Sequence, residues 1–191
     1  MLCLRSNTEA QWLERACANT AEILIDHAHC ERKAASQALA MLARFPDRTE
    51  LVAPMLALAR EELEHFELVM AALPRCGAQM AAQASSGYQT ELHAVVRKSM
   101  PGKLIDLLLV AALIEARSCE RFKLLSEHHP DAELRAFFRS LLESEARHHA
   151  TFVRLAEGVT DRDSVRQRLG ELAEHERSVL QGMPPLPRIH T

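Results

Sequence analysis

Two stretches of this chain repeat one pattern of chemically capable side chains. Glu62-Leu63-Glu64-His65 and Glu145-Ala146-Arg147-His148 both read Glu-x-x-His. Residues three apart share a helix face, so each pair can present one carboxylate and one imidazole to a metal ion. A single such motif arises by chance in a Glu- and His-rich helical chain. Two copies, each on the second helix of a helical hairpin, are far more specific. Oxygen and imidazole donors suit iron or manganese better than soft metals.

A two-metal site of this kind also takes one carboxylate from the first helix of each hairpin. Antiparallel helices meet at equal heights above their turn. Glu62 lies 16 residues beyond Pro46, and the same count backwards lands on residues 30 to 31, where Glu31 stands. Glu145 lies 15 residues beyond Pro130, and the same count backwards lands on Glu115. The spacing from Glu31 to Glu62 is 31 residues and from Glu115 to Glu145 is 30, so the hairpins repeat one plan. Glu115 continues an apolar stripe of Leu104, Leu108, Ala111, Ser118, Phe122 and Leu125. Glu31 shares its face with Leu24, His27, Ala34, Ala35 and Ala38. Carboxylates in such stripes are costly to bury unless they are paired or bind a cation.

Glu120 competes with Glu115, because Cys119-Glu120-Arg121 matches Cys30-Glu31-Arg32. Glu120 stands only ten residues before Pro130, about one and a half turns too low, so the height argument favours Glu115. His27, one turn before Glu31, reads as a core residue behind the site. His29 and His149 read as surface residues. Glu61 and Glu64 read as solvent-facing or paired with Arg. Cys30 and Cys119 read as packing residues, and Arg117, Arg121 and Arg147 as ion-pair partners of further carboxylates.

These residues need long helices to position them. Ser6 with Glu9 has capping-box spacing, and a first helix is expected from there to about Leu42, ended by Phe45-Pro46-Asp47. A second helix follows to about Leu73, with Pro54 near its start. Pro74 to Gly87 is a linker, Tyr88 to Ser99 a short helix, and Pro101-Gly102 a break. A third long helix is predicted from Lys103 to about Glu127 and a fourth from Ala132 to Glu157, with Asp131 as N-cap and Gly158 as terminator. A polar helix from Thr160 or Asp161 to about Gln181 is read as a solvated face carrying Arg166, Arg168, Glu171, Glu174, Glu176 and Arg177. The fold class expected is all-α: a ferritin-like four-helix bundle of two hairpins, a long crossover holding a short helix, and an additional C-terminal helix. Residues 1–181 form one domain in this reading, and 182–191 an extended or disordered tail.

Composition excludes other classes. Of 191 residues 48% are hydrophobic and only 4% aromatic, and β-branched residues are sparse, which leaves little for a sheet. Five cysteines with no CxxC pair fit a reducing cytosol rather than a disulfide framework, a zinc ribbon or an iron–sulfur centre. No leader and no apolar run long enough for a bilayer is evident, so a cytoplasmic protein that does not span a membrane is expected. The net charge of −3 does not suggest bulk attraction to nucleic acid. A local patch remains, since Arg97, Lys98 and Lys103 surround the crossover break and are candidate phosphate contacts. Arg32, Lys33, Arg117, Arg121 and Lys123 are further basic candidates.

The segments DHAHCERKAAS, LAREELEHFE, LIEARSCERF and LLESEARHHATF resemble the bacterial tRNA hydroxylases that act on 2-methylthio-N6-isopentenyladenosine. The resemblance spans about residues 10 to 157. It implies a non-haem di-iron monooxygenase with two iron ions, molecular oxygen as co-substrate and the modified adenosine beside the anticodon of tRNA as substrate. Carried over by motif, the ligands are Glu31, Glu62, His65, Glu115, Glu145 and His148. Without a flavin, nicotinamide or iron–sulfur motif, electrons must come from an external reductase. A monomer is favoured. The alternatives are a quinone hydroxylase-like enzyme, an iron-storing or peroxide-detoxifying ferritin relative, and a metal-free helical interaction module. The single tyrosine, Tyr88, lies off the four main helices, which disfavours a tyrosyl-radical subunit.

Overall fold

The computed structural model describes residues 2–191, and every regular element in them is helical. They fall into two compact units, residues 18–84 and residues 2–17 with 85–191.

The first unit is a hairpin. Helix α2 (Thr20–Arg44) packs against helix α3 (Val52–Ala72) across the turn at Phe45-Pro46. Ile23, Leu24, Ala28, Ala35 and Ala38 of α2 are buried, as are Met55, Leu58, Ala59 and Val69 of α3. Small residues on α2 suit close approach of its partner. Pro54 sits in the first turn of α3, where a missing N–H costs no hydrogen bond.

The second unit holds helix α1 (Ala10–Ala18), the short α4 (Tyr88–His93), the hairpin of α5 (Gly102–His128) with α6 (Ala132–Glu157), and α7 (Arg162–Gly182). Asp131 caps α6 by accepting from the backbone N–H groups of Glu133 and Leu134. Asp161 caps α7 the same way through Ser164. Helix α7 packs against α4, α5 and α6. Helix α5 is therefore covered on several sides, and Leu104 through Val110 are all buried.

The structure differs from the sequence expectation in four places. The short crossover helix, expected to reach Ser99, ends at His93. The first helix does not run unbroken from Ser6. It begins at Ala10, and Asn19, at φ −129° and ψ 43°, leaves the helical region before α2 starts at Thr20. Asn and Thr are weak helix formers, while the apolar period continues past them, so the pattern hid the break. The polar face predicted for α7 is only partly solvated, because Glu176 is fully buried. Residues 183–191 form no helix, and Ile189, His190 and Thr191 are buried. Among the described residues no helix is long and apolar enough to cross a membrane.

Candidate metal centre

Helices α2 and α3 bring the first group of candidate ligands together. Glu31, Glu62 and His65 are 3%, 1% and 7% exposed. Each offers a donor atom within 4.8 Å of the others. The three-residue step on α3 places His65 Nδ1 3.2 Å from Glu62 Oε2. One turn before Glu31, His27 Nε2 lies 2.9 Å from Glu31 Oε1. Burial, reinforced by the nearby His65 and opposed by Glu62, pushes the His27 pKa down to about 3. His27 is thus neutral at physiological pH and cannot offset the charge of Glu31.

Helices α5 and α6 carry the other three predicted ligands. Glu115, Glu145 and His148 are all buried, and His148 Nδ1 is 3.8 Å from Glu115 Oε2. Glu145 precedes His148 by one turn on the same face of α6.

The chemistry of the Glu31, Glu62 and His65 donors fits a divalent cation. Burying a carboxylate costs several kcal/mol unless a positive charge compensates it. The neighbours of Glu31, Glu62 and Glu115 are imidazoles, which are natural co-ligands and weak counter-charges.

Glu120 is placed differently. Its carboxylate accepts from the Thr8 backbone N–H at 2.7 Å and the Thr8 hydroxyl at 2.8 Å, and pairs with Arg117. Arg117 also donates to Glu176 through Nε at 2.9 Å and Nη2 at 3.0 Å, and the Tyr88 hydroxyl donates to Glu176 at 3.0 Å. Glu120 and Glu176 therefore belong to a buried network with its own cation. Arg117 and Arg121 are buried too, which removes them from the candidate RNA-binding residues. Arg121 lies 4.4 Å from the centre of the Trp12 ring and donates to the carbonyls of Ile189 and Thr191.

Sequence reasoning missed several buried polar residues. His149, expected at the surface, is buried, and its Nδ1 donates to the Ala112 carbonyl at 2.8 Å. Its signal was its neighbour: a helix so deeply covered buries two successive side chains. Asp106 is completely buried between Arg97 and Arg168. Its only signal was a lone charge inside the apolar run from Leu104 to Ile114.

Comparison with known proteins places these features in context. The sequence model of the family described as tRNA-(MS[2]IO[6]A)-hydroxylase (MiaE) matches residues 1–191. The tRNA 2-(methylsulfanyl)-N(6)-isopentenyladenosine(37) hydroxylase of Pseudomonas putida is 39% identical over 184 residues, covering 96% of this chain and 89% of the relative. The protein of that name from Salmonella typhimurium is 38% identical over 114 residues, covering 60% of this chain and 42% of the relative. A solved structure from Synechococcus, described as a protein with aldehyde deformylating oxygenase activity, is 43% identical. It superposes with a TM-score of 0.96 over 100% of this chain and 96% of its own. The fold is thus all-α and ferritin-like, as the connectivity predicted.

Proposed function

This chain belongs to the MiaE family of tRNA hydroxylases, and from that premise we propose that it is a di-iron monooxygenase acting on the prenyl side chain of 2-methylthio-N6-isopentenyladenosine in tRNA. The observation that carries the reading is the buried group of Glu31, Glu62 and His65. A metal-free helical protein would have no reason to keep two buried carboxylates beside imidazoles.

In this reading Glu31, Glu62, His65, Glu115, Glu145 and His148 hold two iron ions. Glu115 is preferred to Glu120, whose carboxylate is already engaged by Thr8 and Arg117. Bound iron would supply the capacity to reduce oxygen and to hydroxylate an unactivated C–H bond. One oxygen atom enters that bond and the other leaves as water, with two electrons and two protons from outside the chain. The protein's own part is to position and to exclude. The paired helices fix the carboxylates. His27, neutral and 2.9 Å from Glu31, packs against that carboxylate. The Ala35, Ala38 and Ala59 side chains, all buried, keep the surroundings apolar and suit a branched five-carbon group. An external reductase and a cytoplasmic location belong to the same proposal.

The test is anaerobic loading with ferrous iron, followed by an assay on tRNA from cells that lack this hydroxylation. About two irons per chain and a hydroxylated prenyl group in the recovered nucleoside are expected. Loaded protein that leaves such tRNA unchanged with a competent electron donor would sink the proposal. A second reading rests on the Synechococcus neighbour. An aldehyde assay on the same loaded protein separates the two, since only deformylation of an aldehyde would favour it.

A further inference from the structure

Residues 94–101, which join α4 to α5, form a loop anchored by one buried carboxylate. Asp106, on the first turns of α5, is fully buried. Its Oδ2 accepts from the Arg97 backbone N–H at 2.9 Å, and the Arg97 guanidinium donates to Oδ1 at 2.7 Å. From α7, Arg168 donates to the same carboxylate at 3.0 and 2.8 Å, and to the Val95 carbonyl at 3.1 Å. Gly102 is part of the arrangement. A Cβ there would lie 2.8 Å from Arg97 Nε, so a larger residue would push the end of the Arg97 side chain aside. The loop is thus tied down through its backbone and through two arginines.

What the tied loop displays is unusual for a surface with no partner. Arg97 keeps its side chain 44% exposed, and Lys98 is exposed beside it. Lys103 is half-buried one turn on. Among the described residues no carboxylate pairs with Lys98 or Lys103. In the same segment Val95 and Met100 are 39% and 49% exposed. Asp106 and Glu171 balance Arg97 and Arg168, so Lys98 and Lys103 leave a local excess of positive charge on a chain whose net charge is −3. Fixed cations around exposed apolar side chains match a folded RNA strand, which offers phosphates and the faces of unstacked bases. Glu115 lies 12 residues beyond Lys103 on the same helix, about 18 Å away. One stem-loop can touch both places.

We propose that the 94–103 segment, clamped by Asp106, is the surface on which this protein docks the phosphate backbone of its tRNA substrate through Lys98, Lys103 and Arg97. The proposal rests on the tRNA reading above. It is tested by titrating tRNA into iron-loaded wild-type protein and into a Lys98→Gln/Lys103→Gln double variant over a range of salt concentrations. Neither lysine belongs to the metal centre, so iron content and melting temperature should not change. The variant should bind about tenfold more weakly near physiological salt, and its log K against log salt slope should be shallower by about 1.5, the loss expected for two phosphate contacts. An Arg154→Gln/Arg162→Gln variant, removing two exposed charges of the same unit, should bind as the wild type does. Equal weakening in both variants overturns the proposal, as does a double lysine variant that binds normally. So does loop-dependent sedimentation with anionic vesicles that tRNA does not compete away. A wild-type protein that hydroxylates the nucleoside while the loop variant is unaffected overturns this surface alone. A wild-type protein that neither binds nor modifies tRNA overturns the function reading as well.

Discussion

Two buried glutamates on one helix, five residues apart, have opposite electrostatic situations. Glu120 faces a guanidinium and two further donors, so its charge is compensated by the protein itself. Glu115 faces an imidazole. Replacing each with alanine should therefore separate stability from metal binding. Glu120→Ala removes one of the two carboxylates around Arg117 and leaves Glu176 as its remaining partner, so it should cost about 2 kcal/mol, the loss of hydrogen bonds to a charged group. It should keep its iron. Glu115→Ala removes a carboxylate that is costly to bury without metal, so the metal-free variant should melt no lower than metal-free wild type while binding less iron. Calorimetry with metal analysis on both variants decides. Iron lost with Glu120 alone would mean that the height-matching argument chose wrongly. Glu176 sits deeper in the same network, with both oxygens taken by Arg117. Glu176→Ala should lower the melting temperature by roughly 10 °C, given about 3–5 kcal/mol and the entropy of unfolding of a chain this size. A loss below 2 °C would show that the network contributes little.

At the scale of elements, the long helices and their turns follow from period, caps and breakers. Asp131, Asp161 and Gly158 end or begin helices where their chemistry predicts. Asn19 was not legible, because the apolar spacing on either side of it continues through the break. The burial of Glu176 and His149 was equally hidden. A hydrophobic period shows which face of a helix is most buried, and α5 and α7 pack on more than one face. The turn between α5 and α6 carries a pH dependence. His129 is buried there, and its Nδ1 accepts from the Asp131 backbone N–H at 3.1 Å. Burial lowers its pKa from the ordinary 6.5, outweighing the opposing influence of Asp131. The unfolded chain takes up a proton near pH 6.5 that the folded chain refuses. This residue's contribution to stability is therefore intact above pH 6.5 and declines as pH falls below it towards the folded-state pKa. A His129→Gln variant should show a shallower loss of melting temperature between pH 7 and pH 5 than wild type. Parallel curves would show that His129 titrates normally in the fold.

For the molecule as a whole, the sequence carried the hairpin plan and the six candidate ligands, because both depend on local spacing. It did not carry the packing of the tail, whose partners are far away in the chain. GMPPLPRIHT looks like a segment unable to form a core, and by itself it is one. It docks because residues elsewhere offer what its backbone needs. The Trp12 indole N–H donates to the Arg188 carbonyl at 2.9 Å across 176 positions. Arg121, deep in α5, donates to the Ile189 and Thr191 carbonyls. His190 stacks on Tyr88 with ring centroids 5.1 Å apart, and its Nε2 lies 3.2 Å from the hydroxyl of Ser118, one turn beyond Glu115. The tail thus closes the cluster of Trp12, Tyr88, Arg117 and Arg121, and its loss would leave Arg121 without its carbonyl acceptors in a buried place. Trp12 is the only tryptophan and reports on this directly. Removing residues 184–191 should shift its emission to the red, open it to acrylamide quenching and lower the melting temperature by several degrees. Arg121→Gln, which keeps the tail but removes its main donor, should produce a smaller change in the same direction. Unchanged emission and melting after truncation would mean that α1 and α5 shield Trp12 unaided and that the tail only rests on them.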